Sequence, residues 1–524
     1  EVIGHNIIGY DVPVLERLLG TDFSSCKITD TLVLSRLTDP SREGGHSLDS
    51  WGQRLGFPKG EHNDWDTFSQ DMVDYCKQDV LVNVKVYNAL RSVLAGFGSE
   101  SISLEHQVQS IITKQTDNGW LLDQEHAFIL LAKLKEKKYD LEDKVHETFK
   151  PLPTFIKEIT PKYKKDGTMS VVGLKFLGDQ WENYTAPFSR IDYPAFNLGS
   201  RQQIGRYLQF FGWKPEKFTE KGHIIVDEAI LSKVTGIPEA NMIAEYLMVQ
   251  KRIAQVQSWL DAVKDDGRVH GYVNANGAVT GRMTHSSPNV AQVPSSSAPY
   301  GKDCRACWTV PKGYKVVGMD ASGLELRMLA HYMNDEGYTN EILTGDIHTA
   351  NQLASGVDTR SQAKTFIYAF LYGAGDAKIG SIVGGTAVDG RRLKAKFLSN
   401  TPSLKDLRER VSVASGRGYV HGLDRRRVAV RSEHSALNTL LQSAGAIVMK
   451  KALCLLDEYA SAWKIDYKFI GNIHDEIQTE VRADEAEVFG RLAVSCVEAA
   501  GTYYNLNCPL AGEYQVGDNW SETH

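Results

Sequence analysis

Two apolar runs that lie far apart in the chain each lead into acidic residues, and they constrain the fold more than any other feature. The run Lys315-Val-Val-Gly-Met-Asp320 predicts a buried strand with one carboxylate at its end. The later run Phe469–Val481 predicts two strands joined by the tight acidic turn His474-Asp475-Glu476. Each aspartate taken alone is equally well explained as a simple strand end. Two carboxylates presented by separate strand ends, however, are also what a two-metal phosphoryl transfer requires.

A third segment supports the catalytic interpretation of that pair. Arg360, Lys364, Tyr368 and Tyr372 recur every four residues and are followed by Gly373. On an α-helix this spacing aligns two cations and two phenols along one stripe. Such a face can hold a triphosphate with its cations and stack a nucleoside on a ring. A plain surface stripe with two half-buried tyrosines would have the same spacing.

Length and composition place these segments in a multidomain protein. A chain of 524 residues is too long for one hydrophobic core and predicts three or four compact units. The net charge of −6 argues against a simple nucleic-acid coat, so any DNA-binding surface must concentrate its positive charge in a cleft. No apolar run of about eighteen residues predicts a membrane span. The scattered cysteines form no disulfide framework and fit a reducing cytoplasm.

The three segments together resemble motifs A, B and C of family A (Klenow-type) DNA polymerases. Motif A corresponds to Asp320-Ala-Ser-Gly-Leu-Glu325-Leu-Arg327, motif B to Arg360–Gly373 and motif C to His474-Asp475-Glu476. The resemblance covers essentially the whole chain and is nearest to the replicative polymerases of short-tailed bacteriophages, as in Gly345-Asp-Ile-His348-Thr. It implies template-directed DNA synthesis, in phage DNA replication, in the cytoplasm of a bacterial host cell.

The resemblance also implies a role for each motif residue. Asp320 and Asp475 would bind two Mg²⁺ ions, for which Mn²⁺ can substitute, with Glu476 as an accessory carboxylate. Lys364 would donate a proton to the departing pyrophosphate. Glu325, paired with Tyr372, would exclude ribonucleotides by occupying the position of a 2′-hydroxyl. The full set implied to contact the incoming nucleotide is His348, Arg360, Lys364, Tyr368, Tyr372 and Glu325.

A second set of residues is implied to contact the primer–template duplex. Thr280-Gly-Arg282 resembles the family segment that places an arginine in the minor groove at the primer end. Every Watson–Crick pair offers minor-groove acceptors, so donors there test pairing geometry without reading sequence. Arg425 stands where the family usually has glycine, which leaves the geometry of that turn open. The predicted DNA-binding set is Arg282, Asn289, Gln292, His434, Asn438, Gln442 and His474.

The N-terminal residues resemble part of a 3′–5′ exonuclease. His5–Asp11 resembles the second exonuclease motif and Tyr75-x3-Asp79 the third, so Asp11, Tyr75 and Asp79 form the predicted remnant. The first motif, Asp-x-Glu, is absent because the chain starts beyond it, and we expect a truncated, inactive proofreading domain. Asp140-Leu-Glu142 has the letters of that motif but lies in a predicted helix, and we interpret it as a solvated face.

The implied fold class combines α/β and α+β domains. A truncated ribonuclease-H-like exonuclease domain is followed by a right-hand polymerase with a helical thumb, an antiparallel-sheet palm and helical fingers. The predicted boundaries are 1–100 for the exonuclease domain, 101–265 for the thumb with an inserted segment at about 149–195, 266–335 for the first part of the palm, 336–425 for the fingers and 426–524 for the second part of the palm.

Partners and alternatives follow from the same resemblance. The expected partners are primer–template DNA and deoxynucleoside triphosphates, with a thioredoxin-like processivity factor at the inserted segment and a helicase-primase as further candidates. A single-subunit RNA polymerase shares the palm-and-fingers plan, but Glu325 and the exonuclease remnant argue against it. A DNA-binding accessory subunit with dead catalytic sites is the other alternative. The intact Asp320, Asp475, Arg360 and Lys364 argue against that interpretation.

Overall fold

The two acidic runs lie side by side in one antiparallel sheet of four strands. The computed structural model describes residues 1–160, 162–165, 167 and 187–523. The strands follow the order Tyr467–Ile473, Glu476–Arg482, Tyr314–Ala321 and Gly512–Gly517. The first two form a hairpin whose two-residue turn is His474-Asp475. The strands predicted before Asp320 and on both sides of Asp475 are therefore confirmed.

The chain divides into two compact units. The first comprises Glu1–Gln124 and Asp261–His524, and the second comprises Glu125–Leu260. The boundaries predicted from the sequence are finer than this division and stay predictions.

A helix of 27 residues, Ala436–Ala462, runs through the first unit. It packs against the helices Ser99–Asn118 and Ala486–Tyr503. The stretch Glu433–Ala462 is long and apolar enough to cross a membrane by length and composition, but 78% of its most apolar window is buried within the protein. Burial in the core therefore accounts for its apolar composition.

Most residues between the two acidic runs are helical. In the helix Arg360–Leu371, the residues Ala363, Phe366, Ile367 and Phe370 recur at spacings of three and four, so one side is buried and the other faces outward. A capping box at Thr359 starts this helix. The other helices of the block are Leu324–Met333, Glu336–Leu343, Ile347–Ser355, Asp376–Ser381, Ala387–Asn400 and Pro402–Ser415.

The N-terminal part of the first unit is the small α/β arrangement that the sequence predicts. Strands Val2–Gly4 and Ile28–Asp30 pair in parallel. Leu34, Trp51 and Val86 belong to a separate hydrophobic core beneath them. The helices here are Asp11–Leu19, Thr31–Thr38, Leu48–Arg54, Gln70–Leu94 and Ser99–Asn118.

Short elements complete the first unit. They are the strands Trp120–Leu122, Arg268–Val269, Tyr272–Asn274, Thr284–Ser286, Trp308–Thr309, Tyr419–His421 and Arg427–Ala429, the helix Gly301–Ala306, and the 3₁₀ turns Val290–Gln292, Glu433–Ser435 and Trp520–Glu522.

The second unit is mainly helical. The segment Asp140-Leu-Glu142, which the sequence places in a helix, lies in the long helix Gln124–Thr148. Glu142 accepts a hydrogen bond from the hydroxyl of Tyr246 at 3.2 Å. The segment predicted to be a loop-rich insertion contains an antiparallel pair of strands, Thr154–Ile159 and Phe188–Asp192. Residues 168–186 of the predicted insertion lie outside the described residues. The remaining helices are Arg201–Phe210, Glu228–Leu231 and Pro238–Ala262.

Four buried charged side chains form an ionic network inside the first unit. Arg426 Nη1 lies 2.6 Å from Glu105 Oε1, and Arg426 Nη2 lies 2.6 Å from Asp424 Oδ2. Lys450 Nζ lies 2.7 Å from Glu105 Oε1. Two positive and two negative charges therefore balance within the network. Deleting one partner would leave an uncompensated buried charge, so the network fixes the turn that holds Asp424 against two core helices.

Arg425, in the same turn, adopts a backbone conformation that glycine favours. Its φ is 64°, and its N–H donates to the carbonyl oxygen of Gly422 at 3.0 Å. A side chain in this left-handed region costs roughly 1–2 kcal/mol. The turn therefore keeps its left-handed geometry although it lacks the expected glycine.

Candidate active site

The structure brings Asp320 and Asp475 together at one end of the four-stranded sheet. Asp320 lies opposite Glu476 in antiparallel register. The N–H of Ala321 donates to the carbonyl oxygen of Asp475 at 3.2 Å. The end of the central strand and the hairpin turn are therefore neighbours, although they are distant in sequence.

The turn that carries Asp475 has a strained backbone. His474, its first residue, has a φ of 58°, whereas Asp475 is not in the left-handed region. Glycine is the residue that usually occupies a position with positive φ in a two-residue hairpin turn. Strain of this kind costs roughly 1–3 kcal/mol and is typical of functional sites. The cost is a reason to expect a function for the His474 side chain.

Negative charge is concentrated around Asp320. Burial and the carboxylates of Asp475, Glu476 and Glu513 raise the pKa of Asp320 to about 7. Burial also raises the pKa of Asp475, against the attraction of Arg282. A cation close to these carboxylates would stabilise their ionised forms. Glu513, which the sequence analysis missed, faces Asp320 from the neighbouring edge strand, and only the strand pairing reveals it.

The donor set fits Mg²⁺ in the way that this ion usually binds. Within the described ranges, no group of three or more His, Cys, Asp or Glu side chains forms a metal site. Mg²⁺ commonly binds through one or two carboxylates and completes its shell with water and substrate phosphates. Asp320 and Asp475 supply that number of carboxylates.

Glu476 is held in a buried polar pocket beside the site. Its carboxylate accepts hydrogen bonds from the indole N–H of Trp520 and from the amide of Gln478. Arg305 Nη1 lies 3.9 Å from the same carboxylate, whose side chain is only 6% exposed. The sequence analysis missed Trp520 and Arg305, because neither lies in a motif with Glu476.

The predicted stripe forms the outer side of the helix Arg360–Leu371. Arg360 and Lys364 are exposed, Tyr368 is partly buried, and Tyr372 is the C-cap residue directly after the helix. The rings of Tyr368 and Tyr372 are stacked with centroids 6.5 Å apart. Burial raises the pKa of Tyr368, so its hydroxyl stays protonated at neutral pH. The stripe offers two cations, an aromatic face and a hydroxyl donor.

Glu325 connects the stripe to the acidic end of the sheet. The hydroxyl oxygen of Tyr372 lies 2.8 Å from both carboxylate oxygens of Glu325. Arg282 Nη2 lies 3.4 Å from Glu325 Oε1 and 3.9 Å from Asp475 Oδ1. Burial and the hydrogen bond to Glu325 raise the pKa of Tyr372. One chain of contacts therefore joins the stripe to the metal-binding candidates.

His348 lies beside the stripe with an unsatisfied ring nitrogen. Its ring centroid is 6.4 Å from that of Tyr368, and its Nδ1 is buried without a hydrogen-bond partner. Burial and the positive charges of Arg360 and Lys364 lower the pKa of His348. The imidazole is therefore neutral at pH 7, and one of its ring nitrogens lacks a polar partner within the protein.

The predicted duplex-contacting residues fall into two groups. In the first, Arg282 reaches the acidic end of the sheet through Glu325 and Asp475. Asn289 and Gln292 lie at the start and end of the 3₁₀ turn that begins at Val290. The Oδ1 atom of Asn289 is buried without a hydrogen-bond partner.

The second group lies next to the end of the stripe. His434 is exposed in the 3₁₀ turn before the long core helix, and Asn438 and Gln442 occupy partly exposed positions in its first turns. A Cβ added to Gly373 would lie 2.9 Å from the carbonyl oxygen of His434. Glycine after Tyr372 therefore permits the close approach of these two segments.

The exonuclease remnant is not assembled into a metal site. Tyr75 and Asp79 lie one turn apart on the helix Gln70–Leu94, and Asp11 begins the helix Asp11–Leu19. Lys59 Nζ lies 3.0 Å from Asp79 Oδ2 and 5.0 Å from the centroid of the Tyr75 ring. In the described part of the chain, Asp11 and Asp79 share no cluster of three metal-ligating side chains.

Comparison with known proteins finds DNA polymerases similar to the whole chain. A family model described as DNA polymerase family A matches residues 175–522. The chain is 37% identical to the DNA-directed DNA polymerase of Escherichia phage T7 over 651 aligned positions. The alignment covers 100% of this chain and 92% of that protein. The enzyme of Enterobacteria phage T3 is likewise 37% identical over 100% of this chain and 92% of its own length.

More distant relatives match part of the chain or its fold. The thermostable DNA polymerase I of Thermus aquaticus is 28% identical over 62% of this chain and 42% of its own length. Among solved structures, the POL domain of Pol1 from M. smegmatis, in complex with DNA primer-template and dNTP, has a TM-score of 0.76 at 20% identity, over 94% of this chain and 82% of that chain. This likeness bears out the polymerase fold class expected from the sequence.

Proposed function

The chain belongs to DNA polymerase family A and is a DNA-directed DNA polymerase, and from this premise we propose how its residues divide the reaction. The observation that carries the proposal is the convergence of Asp320 and Asp475 at one end of the sheet, joined to the stripe through Arg282, Glu325 and Tyr372. Family membership sets aside the interpretation as an RNA polymerase.

Asp320 and Asp475 would hold two Mg²⁺ ions, with Mn²⁺ as a substitute. Bound ions would activate the primer 3′-hydroxyl and stabilise the leaving pyrophosphate. Burial and the neighbouring carboxylates raise the pKa of Asp320, and a bound cation would offset both effects, which supports this assignment. Glu476 stays accessory, since its carboxylate is already held by Trp520 and Gln478.

The stripe binds the incoming deoxynucleoside triphosphate. Arg360 and Lys364 pair with the phosphate oxygens, and the neutral imidazole of His348 donates a further hydrogen bond. Lys364 also donates a proton to the departing pyrophosphate. The ring of Tyr368 packs against the sugar. The exposure of both cations supports this division of roles.

Glu325 and Tyr372 select the sugar of the incoming nucleotide. Their contact fixes a charged carboxylate beside the stripe. A 2′-hydroxyl placed against it would clash and would remove water from the charge. A deoxyribose avoids both costs.

Arg282 and its group examine the primer end in the minor groove. Protein groups that donate to the N3 and O2 acceptors can bond to every correct base pair, and they lose the bond where a mismatch displaces the acceptor. The position of Arg282 supports this role, because its guanidinium lies 3.4 Å from Glu325 and 3.9 Å from Asp475. Asn289, Gln292, His434, Asn438, Gln442 and His474 complete the set.

The remaining expectations concern partners and proofreading. We propose primer–template DNA and deoxynucleoside triphosphates as substrates, in the cytoplasm of a phage-infected bacterium. A thioredoxin-like processivity factor and a helicase-primase stay candidate partners, and much of the candidate factor site lies outside the described residues. The ion pair between Lys59 and Asp79 supports an inactive exonuclease remnant, because Lys59 competes with a metal for one oxygen of that carboxylate.

Primer extension with a varied template base tests the proposed function. A primer placed before each of the four template bases should be extended by the complementary deoxynucleotide in Mg²⁺, and poorly by ribonucleotides. Extension that ignores the template base would contradict template direction, and a preference for ribonucleotides would restore the RNA polymerase interpretation. Failure of extension in all four cases would favour the dead accessory subunit.

A further inference from the structure

Asp346, to which the sequence motifs assign no role, holds the guanidinium of Arg360. Arg360 Nε lies 2.6 Å from Asp346 Oδ2, and Arg360 Nη2 lies 3.1 Å from Asp346 Oδ1. This is a bidentate ion pair, the geometry that orients a guanidinium most firmly. The hydrogen bonds from Arg360 and Thr349 hold the pKa of Asp346 well below its usual range, so the carboxylate is ionised at neutral pH.

The ion pair uses only one edge of the guanidinium. Asp346 takes the edge formed by Nε and Nη2, whereas Nη1 and the outer edge between Nη1 and Nη2 keep further N–H donors. The side chain of Arg360 is 58% exposed. A phosphate group can therefore bind the outer edge without displacing Asp346, so the carboxylate acts as a support and not as a competitor.

The same carboxylate organises the end of the helix that carries His348. Asp346 is the N-cap of the helix Ile347–Ser355, and it accepts hydrogen bonds from the N–H of His348 at 3.1 Å and the hydroxyl of Thr349 at 2.8 Å. Capping of this kind stabilises the first turn of a helix by satisfying its free backbone N–H groups. One side chain therefore fixes both Arg360 and the backbone of His348.

We infer that Asp346 is a positioning residue of the nucleotide site, which orients Arg360 and the His348 helix end so that both present donors to the triphosphate of the incoming nucleotide. The inference rests on the proposed role of Arg360 in binding that triphosphate. The inference adds an acidic residue to the nucleotide site, whose phosphate-binding residues are basic or neutral.

Asp346→Asn separates orientation from capping, because asparagine caps a helix as well as aspartate does but lacks the charge. An exposed ion pair contributes modestly even when it is well aligned, so we expect the KM for the deoxynucleotide to rise about three- to fivefold while kcat stays within about twofold. Asp346→Ala loses the cap as well and should raise KM further. Single-nucleotide incorporation at varied deoxynucleotide concentration measures both constants.

A double-mutant cycle with Arg360→Ala shows whether Asp346 acts through Arg360. Arg360→Ala alone should raise KM strongly, and Asp346→Asn should add nothing in that background. Asp406→Asn is the matched control, because it removes an exposed ion pair, to Arg410 at 2.9 Å, on another helix and should leave KM unchanged.

The outcomes are separable. An unchanged KM in Asp346→Asn, beside a raised KM in Arg360→Ala, would overturn the positioning role and leave the proposed function standing. Additive effects in the double variant would also overturn it, because Asp346 would then act independently of Arg360. An unchanged KM in Arg360→Ala would contradict the triphosphate role of Arg360 itself, and the inference with it.

Discussion

The phenol of Tyr372 holds Glu325 through both carboxylate oxygens, each 2.8 Å from the hydroxyl oxygen. Only 13% of the Glu325 side chain is exposed, although 49% of Tyr372 is. A carboxylate held in this way by a residue at the end of the stripe has a fixed position, which is what a steric filter needs. Its charge makes the filter stronger, because an ionised group resists loss of water.

Glu325→Ala should weaken sugar selection. Without the carboxylate, a 2′-hydroxyl meets neither a clash nor a desolvated charge. Together these two effects disfavour the ribonucleotide by at least about 1.4 kcal/mol, a factor of about ten. We therefore expect the kcat/KM ratio of ribonucleotide to deoxynucleotide to rise at least about tenfold. Tyr372→Phe, which keeps the carboxylate but releases it, should give a smaller rise. An unchanged ratio in Glu325→Ala would refute the filter.

Tyr368→Phe should make the enzyme reject dideoxynucleotides. A missing 3′-hydroxyl leaves a gap, and the phenol oxygen of Tyr368 can fill it and restore a polar contact to the triphosphate. One hydrogen bond to a charged group contributes about 1.5–3 kcal/mol, which corresponds to roughly ten- to a hundredfold in selectivity. Ordinary synthesis should continue in Tyr368→Phe, while discrimination against terminators rises at least about tenfold. Equal terminator ratios for the two proteins would mean that Tyr368 only packs against its helix.

The sequence was informative where chemistry and secondary structure share a pattern. The strands before Asp320 and around Asp475 follow from apolar runs, and the outward stripe of the helix Arg360–Leu371 follows from the four-residue spacing. The contact between Glu325 and Tyr372 lies at the meeting point of two such motifs, which a family resemblance can indicate.

The residues that the sequence did not reveal depend on tertiary contacts. Glu513 faces Asp320 only because an edge strand pairs there, and Asp346 reaches Arg360 from a different helix. The strands Thr154–Ile159 and Phe188–Asp192 were missed for another reason. The two strands pair across intervening residues that show no clear hydrophobic periodicity. Local sequence patterns therefore did not predict their pairing.

Arg425→Gly should stabilise the protein. Arg425 has a φ of 64°, which a side chain adopts at a cost and glycine adopts freely. The greater entropy of glycine in the unfolded chain offsets part of that gain, so we expect about 0.5–1 kcal/mol of added stability. Denaturant unfolding of the two proteins measures it. A loss of stability would show that the Arg425 side chain makes contacts that outweigh the strain.

Asp320→Asn should stabilise the metal-free protein at high pH while it abolishes synthesis. The folded protein raises the pKa of Asp320 to about 7, above its value in the unfolded chain. Stability from this group is therefore fully present below about pH 4 and is lost as the pH rises towards 7. At pH 8 without metal, the asparagine variant should be more stable by about 1 kcal/mol, allowing for solvent screening.

Two further conditions test whether the charge of Asp320 causes the difference in stability between the native protein and Asp320→Asn. At pH 4 the gain should vanish, because the carboxyl of the native residue is then protonated. Saturating Mg²⁺ should also reduce it, since a bound cation stabilises the ionised form. A gain that is the same at every pH would point to packing and not to charge.

Extension of a primer by Asp320→Asn and Asp475→Asn is the most direct measurement of the central claim that these two carboxylates bind the catalytic metals. Both variants should retain less than about 1% of the wild-type extension rate, because neither amide replaces an ionised metal ligand. Both should fold and bind primer–template DNA within a few-fold of wild type, since that affinity comes mainly from phosphate contacts. Extension above about 1% of wild type in both folded variants, measured in Mg²⁺, would contradict the two-metal assignment.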